Sequence, residues 1–163
     1  VNHLKGQALA LRALAHFDLV KLYGQQHVTG GGDLGVPYVT TFREPSEYFP
    51  SRKTATEVKT LAIADLDMAL TMMSAGLNDA SKQTITTHAV NAIKAKIALY
   101  FGDMTTARDA SFAVINSNAF TIPDAASFAA TWSTDSASNS IFEIAVSSVD
   151  NAGINGLENI YRG

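Results

Sequence analysis

From about residue 3 to residue 23 the apolar positions fall into two sets. Leu4, Ala8, Leu11, Ala15, Leu19 and Leu22 step by three or four and share one helical face. Leu9, Ala10, Ala13, Leu14, Phe17 and Val20 share roughly the opposite face. Lys5, Arg12 and His16 form a narrow polar strip between them. A helix that is apolar on two sides is normally sandwiched between other helices. This first helix is therefore expected in the middle of a layered stack, with Gly24 as its stop.

The pattern breaks over residues 25–53, which carry Gly30-Gly31-Gly32, Pro37, Pro45 and Pro50 and few periodic apolar positions. This stretch is expected to be a long loop with a short extended piece at 36–40; loops of such length are usually functional or mobile. Thr54-Ala55-Thr56-Glu57 fits a capping box, so a second helix is expected from Thr54, burying Val58, Ala62, Leu66, Ala69 and Met73 and ending at Gly76. A third helix is expected over 87–101, with Ala89, Ile93, Ile97 and Tyr100 on one face. Gly102 then stops it and Asp103 caps a fourth, which carries Ala107, Ala110 and Val114 to about Ser117. The tail, 118–163, is richer in Ser, Asn and Gly, with one segment, 140–146, that reads as a strand or an extended packing piece.

Helix, long loop, helix, short loop, helix, tight turn, helix is the logic of stacked antiparallel hairpins. The fold class is therefore all-α, of a tetratricopeptide-like kind, with the 25–53 insertion and an irregular C-terminal tail. One domain over 1–163 is expected. Small residues at Ala95, Ala98, Ala107 and Ala110 let the second pair approach closely.

Composition narrows the function. Apolar residues make up 47% and charged residues 17% of the 163, which marks a globular chain with a real core. A net charge of −3 gains nothing from counterion release, so no nucleic-acid partner is expected. The absence of cysteine removes thiolate chemistry and disulfides. No apolar run approaches the ~18 residues that span a bilayer. The chain opens Val1-Asn2-His3 and enters helical pattern at once, which reads as a piece cut from a longer protein.

Several segments resemble, in order, the SusD/RagB family. Gly6-Gln7-Ala8 and the run from Leu11 to Tyr23-Gly24 are similar to its long helix, and Gly35-Val36-Pro37-Tyr38-Val39 to the segment that follows. Ser51-Arg52 and Ala64-Asp65-Leu66-Asp67-Met68-Ala69-Leu70 resemble the next helix. Ala95 to Asp103, with Ala107-Arg108-Asp109-Ala110, resembles the repeat hairpin, and Asn139-Ser140-Ile141-Phe142-Glu143-Ile144 the stretch after it, without that stretch's first Glu. The resemblance implies a non-catalytic glycan-binding lipoprotein on the outer face of the outer membrane. It implies an oligo- or polysaccharide ligand, a SusC-like TonB-dependent transporter as partner, and membrane contact only through a lipid anchor. The family's lipidated N-terminal Cys and its large C-terminal region are not among these residues.

The chemistry of single residues agrees with binding more than catalysis. Trp132 is the chain's one tryptophan and lies in a polar segment, where an aromatic face can stack on a sugar. Tyr38, Tyr48 and Phe49, in the long loop, are ligand candidates for the same reason. Gly30-Gly31-Gly32-Asp33-Leu34-Gly35 matches a dinucleotide fingerprint in letters alone, since a helix precedes it and Val36-Pro37 follows. His3, His16, His27 and His88 lack metal-ligand spacing, so no metal or other cofactor is expected. Asp65 and Asp67 point in different directions on a helix and are no acid-base pair; Asp65 is expected to pair with a base such as Arg12. A tetratricopeptide-like adaptor for peptides is the alternative. A helical glycoside hydrolase is a third reading, for which the sequence shows no convincing carboxyl pair.

Overall fold

A computed structural model describes residues 1–25, 32–41 and 49–145. They form five α-helices: α1 (Asn2–Tyr23), α2 (Ala55–Met72), α3 (Thr87–Tyr100), α4 (Met104–Ile115) and the single turn α5 (Phe128–Thr131). A 3₁₀ turn at Ala75–Leu77 follows α2. No strand occurs among the described residues, only one antiparallel bridge, Leu34 to Thr54. The chain is all-α.

The helix ends are where the capping chemistry puts them. Thr54 accepts from the Glu57 N–H while Glu57 reaches back to the Thr54 N–H, so two orphan donors are satisfied reciprocally. Thr86 caps α3 through the Ala89 N–H, and Asp103 caps α4 through the Thr106 N–H. Between α3 and α4 the chain reverses at Gly102, whose φ of +74° is left-handed and favours glycine. The end of α2 differs from expectation. Met73 already leaves helical geometry, and Gly76 sits inside the following 3₁₀ turn.

Neighbouring helices run antiparallel. Gly6 near the start of α1 meets Ala69 and Met73 at the end of α2, and Arg12 meets Asp65 midway. At the other end Arg52, just before α2, donates to the Tyr23 carbonyl. On the next pair Asp67 meets Lys94, and Lys59 meets Asp103, which is again antiparallel. A Cβ at Gly6 would lie 2.5 Å from Met73 Cγ and 3.0 Å from the Ala69 carbonyl. That glycine sets how closely α1 and α2 approach. Phe17, Val58, Leu66, Ile85, Val90 and Ile97 are the largest fully buried side chains, and they fuse the two hairpins into one core. Each such side chain stabilises the fold by roughly 1.5–3 kcal/mol through burial.

One expectation is corrected. α1 is covered on one flank, not two. Ala10, Ala13, Phe17 and Val20 are buried, and Leu9 and Leu14 pack against the core. Leu4, Ala8, Leu11, Ala15, Leu19 and Leu22 are all exposed among the described residues. The reason is geometric: α2 and α3 both lie on the Phe17 side, so among the described residues the second apolar row meets no helix.

Residues 32–41 are extended but make no sheet. The Gly35 N–H donates to Lys53 O, the Lys53 N–H to Val36 O and the Ala55 N–H to Asp33 O. The Arg52 guanidinium then donates to Gly35 O at 2.6 Å and to Tyr23 O at 2.8 Å, tying the loop to the end of α1. The segment 141–145 also forms no strand. Ile141 and Phe142 pack on the core, and the Glu143 N–H donates to Lys82 O at 3.0 Å. Gly30, Gly31, His27 and residue 146, which figured in the sequence reading, lie outside the described residues.

Candidate functional site

Trp132 follows α5 and is 81% exposed. The local sequence explains its position. Asp124 accepts from the Ser127 N–H and hydroxyl and so starts the turn. The Thr131 and Thr134 hydroxyls then satisfy the Phe128 and Ala130 carbonyls of a helix too short to satisfy its own. Phe128, four residues earlier, meets the Trp132 ring edge-on at 6.2 Å.

Beside Trp132 lies a cavity of about 370 Å³, lined also by Thr134, Asp135, Asn139, Ser140 and Glu143. That volume falls in the range of small-ligand sites, roughly 300–1,000 Å³. Two of its polar groups are uncommitted: among the described residues, the Asp135 carboxylate and the Asn139 amide make no hydrogen bond. Glu143 is committed. It accepts from Ser140 and from the Ser136 N–H, and these bonds hold its carboxyl below the ordinary range.

The wall of the cavity is fastened to the α2–α3 connection by Lys82. Its ammonium donates to Ala137 O at 2.6 Å and Ser136 O at 3.2 Å, while its carbonyl accepts the Glu143 N–H. The Ser136 hydroxyl adds a bond to Ser81 O. The sequence singles out Trp132 as a candidate but neither Asp135 nor Asn139. Both sit three to seven residues beyond it in a low-complexity stretch, and only the turn geometry brings them to the ring.

The loop candidates lie elsewhere. Phe49 is almost fully exposed, and Tyr48 lies outside the described residues. Tyr38 is turned inward. Its ring stacks on His16 at 4.0 Å, and its hydroxyl donates to Asp65 at 2.6 Å. Burial, with the bond to Asp65, raises the phenol pKa well above its ordinary value. Asp65 also takes both arms of the Arg12 fork, at 2.7 and 2.6 Å, as the sequence suggested. That hydrogen bond raises the Arg12 pKa further. His16 completes the node: Nδ1 donates to Arg12 O, so Nε2 is the acceptor for the Val39 N–H at 3.0 Å. This node joins α1, α2 and the 36–40 segment, and within it the Tyr38 hydroxyl is committed to Asp65.

Among the described residues no cluster of three metal-ligating side chains occurs, and no helix is long and apolar enough to cross a membrane. Comparison with known proteins gives a consistent family. No curated protein matches the chain. A SusD superfamily protein from Bacteroides thetaiotaomicron shares 27% identity and a TM-score of 0.87, over 98% of this chain and 35% of that one. A SusD superfamily protein from Bacteroides vulgatus shares 30% identity and a TM-score of 0.78, over 94% and 35%. A protein from the same species, described as a candidate sugar binding protein, shares 26% identity and a TM-score of 0.80, over 94% and 35%. The chain thus spans about a third of the length of these structures. Residues 1–99 match the family profile described as starch-binding and associating with the outer membrane, and the chain belongs to this SusD-like family.

Proposed function

We propose that the chain is the helical domain of a surface glycan-capture protein, one that holds a sugar chain and passes it on unaltered. The family description supports the ligand class, and the observation that carries the reading here is Trp132, bared beside a cavity with free polar groups. An indole face covers the apolar face of a pyranose while Asp135 and Asn139 offer hydrogen bonds to hydroxyls. Phe49 is a second exposed aromatic contact; Tyr38 belongs to the frame. The same reading places the whole protein at the outer membrane by a lipid anchor, handing its ligand to a SusC-like TonB-dependent transporter. Residues 1–163 then act as one domain, with 25–53 as its long insertion and 118–163 as its irregular tail.

Glu143 does not suit the role of a glycosidic general acid. A glycosidic general acid needs a raised pKa, and this carboxyl is held low by its hydrogen bonds. The adaptor alternative has one observation in its favour, the bare Leu4–Leu22 row on α1. Calorimetry with oligosaccharides and with peptides separates the two. Heat from glycans that disappears in Trp132→Ala supports capture. Heat from peptides alone, or turnover of any glycan, overturns it.

A further inference from the structure

Resting on that reading, we propose that the Trp132 cavity is built for a sugar unit without acidic groups, and that it takes an amino sugar, ammonium towards Asp135, in preference to the neutral counterpart. The argument is one of charge around a fixed aromatic platform. None of the described residues lining the cavity is Lys, Arg or His, and two are carboxylates. Glu143 is ionised and already bonded to Ser140 and Ser136. Among the described residues Asp135 makes no hydrogen bond or ion pair, so its carboxylate can meet a cation. It also faces a second, smaller cavity of about 100 Å³ that again has Glu143 in its wall and no basic residue. Lys82 is fastened to this wall by its bonds to the Ser136 and Ala137 carbonyls, and its charge acts on Glu143. A uronate or sulfate set on Trp132 would therefore face the Asp135 carboxylate and a Glu143 carboxylate only partly offset by Lys82, with no basic side chain in the described lining. An ammonium would face a free carboxylate. The site is open, so the preference is modest. An exposed ion pair gives roughly 0.2–1 kcal/mol, about 1.5- to 5-fold in affinity, weakening with salt.

Trp132 is the chain's single tryptophan, so tryptophan emission excited clear of tyrosine absorption reports on this cavity. Three probes are titrated: oligomers of 2-amino-2-deoxyglucose with the amine protonated, their N-acetylated counterparts, and galacturonate oligomers. Calorimetry runs in parallel. The expected order is amino above N-acetyl, with galacturonate giving no response, and the amino preference lost in Asp135→Asn. An equal fluorescence response to all three keeps the site and overturns the charge selection. Calorimetric binding with silent fluorescence overturns this site but leaves glycan capture standing. Silence in both, extended to neutral glucans, overturns capture itself.

Discussion

Removing the charge of Asp65 while keeping its shape tests the frame most directly. Asp65→Asn leaves an amide that still accepts from Tyr38 but deprives the Arg12 guanidinium of its counter-ion. The Arg12 and Asp65 side chains are 28% and 13% exposed, which sets the scale. An exposed pair is worth roughly 0.2–1 kcal/mol, and breaking a fully buried one costs about 3–5 kcal/mol. This pair lies between, with three hydrogen bonds on one carboxylate, so the expected loss is about 2 kcal/mol. For a chain of this size that lowers Tm by roughly 4–8 °C.

Urea unfolding followed by far-UV circular dichroism measures the loss. Tyr38→Phe is expected to cost about 1–1.5 kcal/mol, and the Tyr38–Asp65 double-mutant cycle to show a coupling of about 1 kcal/mol. Arg12→Met combined with Asp65→Leu and Tyr38→Phe should recover much of the single-variant loss, because an apolar cluster pays no desolvation penalty and leaves no orphaned hydroxyl. A cost for Asp65→Asn under about 0.5 kcal/mol, the scatter of ordinary surface changes, would refute the account of the node.

On α1 the two apolar rows should behave oppositely. Leu11→Lys with Leu19→Lys should change stability by no more than about 0.5 kcal/mol each, against about 3–5 kcal/mol for Phe17→Ala; equal losses would show that the outer row is covered. Acid should destabilise the fold with a definite sign. Glu57, Asp79, Asp103, Asp124 and Glu143 all have depressed pKa values, Asp103 through Lys59 first and then the Thr106 N–H. A depressed carboxyl contributes stability above its unfolded value and loses it as pH falls through the folded one. Tm should therefore hold down to about pH 5 and fall below about pH 4, and a flat profile to pH 3 would contradict this. Lys82→Met keeps an unbranched apolar stem and removes the ammonium that lies 5.3 Å from the Phe120 ring centroid and donates to two carbonyls. Amide exchange should quicken across residues 131–143 and stay unchanged in α1 and α2; a uniform change would show that Lys82 supports the whole fold.

Much of the frame was legible because local chemistry decides it. Thr54, Asp103 and Gly102 mark helix ends by groups that act within three residues, and all three act as read. The Arg12–Asp65 pair was legible because each residue interrupts or borders an apolar stripe, where a charge needs a partner. The side that α1 buries was not. Both rows have helical spacing, and only the position of α3 decides between them. Tyr38 misled for a related reason: an aromatic in a Pro- and Gly-rich loop reads as exposed, and nothing local announces a stack on His16 twenty-two residues away. The polar wall around Trp132 was silent because Ser, Thr and Asn fill that whole stretch, so no single one stands out.

The frame and the site are held by different physics, and this bears on how such a chain can change. Phe17, Leu66 and Ile97 hold the hairpins by burial, and Arg12, Asp65, Tyr38 and His16 lock the loop to them. The Trp132 cavity rests on polar turns and one lysine, with Ala137 as its buried contact. Substitutions at Asp135 or Asn139 touch no buried apolar group, so they can alter which sugar is held at little cost to the core. Substitutions at Tyr38 or Asp65 should do the reverse, lowering stability without changing ligand preference. A variant of Asp65 that kept its stability and altered the order of glycan affinities would show that the two are mechanically one.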